Sequence, residues 1–325
     1  MANGIGYDGY DGYDGYDGYD GYDGYDSYDS YSNGRTPANG ALALTRTREL
    51  LVYGTPPTMP VRGQERWPGF DRHGAFGMLA PSVRRQIVVM DLLREITIDA
   101  TDDGVLLKCT GTDPYVIPIQ DVRLFQQQLS EVEAMAELRN ERAAEIAAQL
   151  TFNPVFWARI LPMSRRHTPF TLELMSTAVM FASFVVQRAK TIFHYARPYQ
   201  WSPRIQPMIA PPLYSTYPGG HAVESTLIDK LLIALLTPSN AEATTEWLTE
   251  IVPMLDNLAD RIAENRVVAG IHFPIDSNAG RQLGEQLCRY FINAADGVPK
   301  AIETKPGSNT FVWLFAKARA EWQTP

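Results

Sequence analysis

Between residues 168 and 194 the chain is apolar on most helical faces, through Leu172, Leu174, Met175, Val179, Met180, Phe181, Phe184 and Val185. A helix without a polar face cannot lie on a surface, so other elements have to enclose it. Those elements are predicted to be helical. Residues 121–150 space their apolar side chains for a long amphipathic helix and residues 154–163 for a short one. Residues 222–236, 241–269 and 277–294 continue the pattern, and residues 311–322 close it. Upstream, residues 82–93 read as a helix capped by Ser82, and residues 96–119 alternate around Asp102-Asp103-Gly104 as a small hairpin. The expected fold class is all-α, a helical bundle with a minor β-hairpin.

The chain has 325 residues, which fits one large domain preceded by two segments of different composition. Residues 1–34 carry Tyr at every third position from Tyr7 to Tyr31, with Asp following all but the last. That repeat holds neither proline nor aliphatic residues, so it is expected to be a disordered low-complexity tail. Its evenly spaced tyrosines leave self-association into a homo-oligomer open. Residues 35–81 are rich in Pro, Gly and Arg and read as an extended arm, and residues 82–325 as the helical catalytic domain. The net charge of −8 comes from the tail, which holds eight Asp and no Lys or Arg; the remainder holds 29 basic and 29 acidic residues. Such a balanced body excludes a polybasic nucleic-acid binder. Cys109 and Cys288 belong to no paired or zinc-type spacing and read as buried free thiols. With no secretory signal pattern and no unbroken apolar run of about 18 residues, the chain is expected to be soluble and cytoplasmic, with no membrane partner.

The residues that carry chemistry lie between Lys190 and Asp276. Six residues separate Lys190 from Arg197-Pro198, Pro218-Gly219-Gly220-His221 opens the next helix, and Arg266 is followed by His272 and then Asp276. Three permanent cations suit a tetrahedral or trigonal-bipyramidal oxyanion, with planar forks from Arg197 and Arg266 and a point charge from Lys190. Free N–H groups of Gly219 and Gly220 at a helix start are placed to face the same anion. His221 is placed to give or take a proton. Asp276, four residues after His272, is expected to meet it on one helical face and accept its Nδ1–H, leaving Nε2 directed at the central atom.

This constellation resembles the superfamily shared by vanadium-dependent haloperoxidases, bacterial class A acid phosphatases and type-2 phosphatidic acid phosphatases, over about a quarter of the chain. The resemblance implies an all-helical fold. It implies that Lys190, Arg197, Arg266 and the Gly220 amide bind equatorial oxygens. His272 would be the vanadium ligand or the phosphohistidine nucleophile, His221 the acid/base opposite, and Asp276 the orienter of His272. Tyr214 falls where haloperoxidases place a residue that tunes halide use. Two positions depart from the pattern: Gly219 replaces the motif serine, and Asn265 replaces the serine before the second motif arginine.

The expected function is therefore a haloperoxidase in which vanadate, held by His272, oxidises halide with hydrogen peroxide, phosphate being the competing oxyanion. The alternatives are a soluble acid phosphatase acting on a phosphomonoester through a phosphohistidine, or a self-assembling structural protein with a weakened oxyanion site.

Overall fold

The computed structural model describes residues 76–237, 246–295 and 310–322. The expected tail at 1–34 and residues 35–75 of the expected arm lie outside the described residues, and Leu79–Pro325 groups as one unit. In chain order that unit contains α1 (Pro81–Leu93), β1 (Ile96–Thr101), β2 (Gly104–Cys109), β3 (Tyr115–Pro118), α2 (Val122–Gln127), α3 (Leu129–Met135) and a 3-10 turn (Ala136–Leu138). It continues with α4 (Arg139–Ala148), α5 (Val155–Ala158), α6 (Pro169–Phe193), α7 (Pro198–Trp201), α8 (Gly220–Leu236), α9 (Glu246–Val268), α10 (Pro274–Ala295) and α11 (Thr310–Ala320). The architecture is mostly helical with one small antiparallel sheet.

Three local expectations need correcting. Helix α1 opens on Pro81 after Ala80, with no side-chain cap, so Ser82 lies inside it; proline's fixed φ already suits a first helical position. The hairpin gains a third strand, because after β1 and β2 pair around residues 102–103 the chain returns to pair β3 with β2, Val105 opposite Ile117. The long helix of residues 121–150 is broken into α2, α3, the 3-10 turn and α4. At the first break, Gln128 uses its side chain to accept the Ile275 amide at 3.0 Å, which ties this region to the start of α10.

Helix α6 is the buried centre that its composition requires, with Leu174, Ala178, Val179, Phe181, Ala182 and Val185 at most 1% exposed. Its Glu173 is held by Arg84 of α1, whose Nε donates at 2.8 Å. The expectation of no spanning segment, and with it of a soluble, cytoplasmic chain without a membrane partner, is corrected here. The stretch Pro169–Trp201 is long and apolar enough to cross a membrane by length and composition, with a mean hydropathy of 1.5 over its 18-residue window. Two apparent polar breaks do not interrupt it: Ser176 and Thr177 hydroxyls donate to the carbonyls of Leu172 and Glu173 on their own helix, at 2.9 and 2.7 Å. Within the protein, 67% of that window is buried.

Helices α8 and α10 approach closely through glycines. A Cβ on Gly280 would stand 2.5 Å from the Gly219 carbonyl, and one on Gly284 would stand 2.7 Å from the Val223 carbonyl. This contact brings the start of α8, with His221, against the start of α10, with Asp276. A second apolar cluster, Ile146, Val268, Ala269 and Ile271, joins the end of α4 to the end of α9, where Arg266 lies. Cys109 and Cys288 are buried free thiols, each pushed up to about 12 by desolvation.

Candidate active site

Lys190 occupies the last turn of α6, which stops at Phe193 because His194 takes the left-handed conformation, with φ 54° and ψ 30°. The chain turns, and Arg197 becomes the residue before α7, its amide donating to the Gln200 side chain at 2.7 Å. Lys190 is 3% exposed and Arg197 1%, so each needs acceptors. The loop before α8 supplies them: Lys190 Nζ donates to the Ser215 and Thr216 carbonyls at 2.8 and 2.9 Å. Arg197 donates from Nε to the Tyr214 carbonyl at 3.0 Å and from Nη1 to the Ile271 carbonyl at 2.8 Å. The Tyr214 ring lies 5.1 Å from Lys190 Nζ and 5.3 Å from Arg197 Cζ, a cation–π arrangement with both.

His272 and Asp276 meet, though not on a helical face. Pro274 opens α10, so His272 precedes the helix, and Asp276 in the first turn reaches back over the helix start. One carboxylate oxygen, Oδ2, faces His272 Nδ1 at 2.9 Å, accepts the Phe273 amide at 2.8 Å and accepts the Thr216 hydroxyl. A carboxylate only accepts, so Nδ1 of the neutral ring carries the proton and Nε2 keeps its lone pair. Burial, reinforced by Arg197, Lys190 and Arg266, holds the His272 imidazolium well below its ordinary range, and the ring is neutral at pH 7. Burial raises Asp276 to about 6, against its hydrogen bonds and the nearby cations.

His221 lies in the first turn of α8 and its Nε2 donates to the Gln149 carbonyl at 2.9 Å, which leaves Nδ1 as the unprotonated nitrogen. Burial first, then Arg266, holds its imidazolium well below the usual range; His272 and Lys190 act in the same direction. Arg266, 1% exposed, donates from Nη2 to the Ile146 carbonyl at 3.1 Å and to Gln149 Oε1 at 3.2 Å. Its Nε is buried and finds no acceptor among the described residues. Desolvation lowers the guanidinium to about 10.

Gly219 has a structural reason. Its amide donates to the Asp276 carbonyl at 2.8 Å, and a Cβ there would stand 3.0 Å from that oxygen, so a serine would crowd the contact between the two helix starts. That bond also occupies the Gly219 amide. The Gly220 amide, by contrast, finds no backbone acceptor among the described residues. Asn265 binds Gln149 Oε1 at 2.9 Å and Glu145 Oε1 at 2.8 Å through Nδ2, holding the end of α4 against α9.

The structure thus brings Lys190, Arg197, Tyr214, Gly219, Gly220, His221, Arg266, His272 and Asp276 into one region. Three further residues join them. Thr216 is fully buried against Asp276, Gln149 holds His221 and Arg266, and Glu224 shares a cleft with His221. That cleft, about 330 Å³ with its open mouth included, has Phe152, Phe156, Trp157 and Ile228 in its walls. Thr216 stands in the loop next to Pro218-Gly219-Gly220-His221 and was legible as a neighbour of the motif. A carboxyl in the apolar run of α8 was the one signal for Glu224. Gln149 comes from a distant helix end and left none.

Comparison with known proteins finds a family model that matches the part of the chain holding the motif residues. No curated protein matches the chain. Among solved structures, the chain is similar to the first transmembrane PAP2 type phosphatidylglycerolphosphate phosphatase from Bacillus subtilis, at 12% identity and a TM-score of 0.33 over 71% of this chain and 94% of that one. That protein is described as transmembrane; for this chain, the expectation of a soluble protein with no membrane partner is withdrawn on the spanning length of Pro169–Trp201 alone. Residues 172–296 match the model of the PAP2 superfamily, a span that runs from α6 into the end of α10 and includes every motif residue from Lys190 to Asp276. The segment therefore matches the PAP2 superfamily, the group its motifs resemble.

Proposed function

We propose that the chain is a phosphatase that moves a phosphoryl group from a monoester to His272 and then to water. The observation that carries this reading is a neutral His272, oriented by Asp276, with its Nε2 lone pair free among three buried cations, one of which keeps an unpaired buried donor at Arg266 Nε. Lys190, Arg197 and Arg266 supply more positive charge than their surroundings neutralise, and an oxyanion with two or three negative oxygens relieves that imbalance. The Gly220 amide at the start of α8 adds a dipole directed at the same charge. As Nε2 bonds to phosphorus, Asp276 stabilises the cationic ring that forms. The leaving oxygen departs on the side of the cleft shared with His221 and takes its proton there.

Vanadate fits the same donors, and bound there it would supply oxidation of halide by peroxide. No contact in the site favours that chemistry over ester hydrolysis, while the family match supports a phosphatase-type activity. The preference expected from the sequence is therefore reversed. Tyr214 bears on both readings alike, since its ring covers cations that either anion would need.

The test gives the purified full-length chain p-nitrophenyl phosphate, and separately vanadate, peroxide and bromide. Phosphate release, an acid-labile and alkali-stable phosphoenzyme, and the loss of both with His272→Ala are the expected results. Halogenation without phosphate release overturns the proposal.

A further inference from the structure

We infer that Gln149 is a positioning residue of this site: its side chain fixes the plane of the Arg266 fork, and Asn265, standing where the motif has a serine, holds Gln149 in place. The inference rests on the phosphatase reading above only in taking a phosphate-class oxyanion as the group that Arg266 meets. Gln149 ends α4 and lies outside residues 172–296, so an arginine of the motif is set from a part of the chain that the family match does not cover.

Arg266 docks on that one helix end. Its Nη2 donates to the Ile146 carbonyl at 3.1 Å and to Gln149 Oε1 at 3.2 Å, and its Nη1 to the Gln149 carbonyl at 3.4 Å. A single carbonyl on Nη2 would leave the planar group free to swing about that bond. The second acceptor on the same nitrogen, supplied by a side chain, fixes the plane. Nε is then left buried without an acceptor, and an oxyanion takes up this unspent donor.

Gln149 does this only with its oxygen, and not its nitrogen, towards Arg266, and its neighbours decide that. Gln149 Nε2 donates to Glu145 Oε1 at 3.2 Å, and Asn265 Nδ2 donates to Gln149 Oε1 at 2.9 Å. Asn265 is oriented in turn, because Nδ2 also donates to Glu145 Oε1 at 2.8 Å while Oδ1 accepts from Arg142 Nη1 at 3.4 Å. A carboxylate only accepts and a guanidinium only donates, so each amide has a single orientation here. Asn265 is 0% exposed and Gln149 3%, and water does not compete for these bonds. A serine at 265 has one hydroxyl hydrogen and could not serve Glu145 and Gln149 together, which gives the departure from the motif a purpose.

The same residue reaches the histidine. The Gln149 carbonyl accepts His221 Nε2 at 2.9 Å, so a displaced Gln149 disturbs Arg266 and His221 at once. The support runs outward as well, since Arg261 Nη2 holds Glu145 Oε2 at 3.0 Å.

Calorimetric titration of the full-length chain with inorganic phosphate reads the anion site without turnover. Gln149→Leu removes the acceptor and keeps most of the bulk, and the phosphate Kd is expected to rise about 10- to 100-fold, with KM for p-nitrophenyl phosphate rising in parallel. Asn265→Ser restores the motif serine, yet Kd is expected to rise about tenfold. Because Asn265 acts through Gln149, the double variant should bind phosphate within about twofold of Gln149→Leu. A merely structural pair would lower Tm and leave Kd of the folded protein unchanged, or would multiply its two losses in the double variant; either result overturns the inference. Should Gln149→Leu not fold, Gln149→Met keeps the length without the acceptor and carries the same comparison, and Asn265→Ser with undiminished phosphate affinity overturns the inference by itself. A wild type that binds phosphate but hydrolyses no ester fails the phosphatase reading, while the Kd ratios still judge Gln149. A wild type that binds no phosphate overturns both.

Discussion

Replacing Thr216 by Val removes one hydroxyl from a fully buried position and keeps the volume of the side chain. That hydroxyl donates to Asp276 Oδ2, the same oxygen that faces His272 Nδ1 and accepts the Phe273 amide. The bond stabilises the carboxylate form, so its loss favours the protonated form and raises the pKa. A hydrogen bond to a charged group contributes about 1.5–3 kcal/mol. At 1.36 kcal/mol per pKa unit this is roughly one to two units, which moves Asp276 from about 6 to roughly 7–8. A protonated Asp276 no longer holds the Nδ1–H, and Nε2 loses its fixed lone pair. The pH profile of kcat/KM for p-nitrophenyl phosphate, which reports groups of the free enzyme, is the assay. The acidic limb is expected near pH 6 in the wild type and roughly one to two units higher in Thr216→Val, with activity recovering at about pH 9. Thr216→Ser keeps the donor and the wild-type limb. An acidic limb that stays in place in a folded Thr216→Val protein, or a loss of equal size at every pH, refutes the reasoning.

Two predictions concern stability. Gly284→Val places a Cβ 2.7 Å from the Val223 carbonyl and 2.9 Å from Thr226 Cβ, and overpacking of this kind costs about 1–3 kcal/mol or more. Calorimetry should therefore show Tm lower by roughly 3–10 °C, whereas Gly220→Ala, whose Cβ meets only Val186 Cγ1 at 3.7 Å, should leave it nearly unchanged. Asp229 is 1% exposed and stands 3.1 Å from Lys230 Nζ, and burial first, then the neighbouring Asp256 carboxyl, raises it to about 7 against the pull of Lys230. A folded-state pKa above the unfolded one means that its contribution is fully present below about 4 and is lost as pH rises through about 7. Asp229→Asn should flatten the decline of Tm between about pH 6 and 8, and an unchanged slope would discard the assignment.

Much of the site was legible because its chemistry is written in residue types at short spacings. Lys190 with Arg197, Gly220 with His221, and His272 with Asp276 are each close enough in sequence for local geometry to bring them near one another. The apolar run in α6 announced a buried centre for the same reason: one helical turn repeats the information of the last. What was misread shows where local periodicity stops. Residues 121–150 keep a helical pattern throughout, yet tertiary contacts such as Gln128 with Ile275 break the helix into pieces. The expected absence of a spanning run fails for a similar reason: Ser176 and Thr177, polar by residue type, each bond to their own helix backbone inside α6.

The sequence by itself determined the helical class and the inventory of three cations, two imidazoles and one carboxylate, because both depend on residue identity and on spacings of a few residues. Only the tertiary structure decided how those groups are charged and held. Whether His221 and His272 are neutral and Glu224 protonated depends on desolvation and on Lys190, Arg197 and Arg266 arriving from α6, the start of α7 and α9. Which nitrogen of His221 is free depends on a carbonyl at Gln149, 72 residues away in the chain. Coulombic and desolvation energies are sums over spatial neighbours, and no spacing along the chain carries that sum.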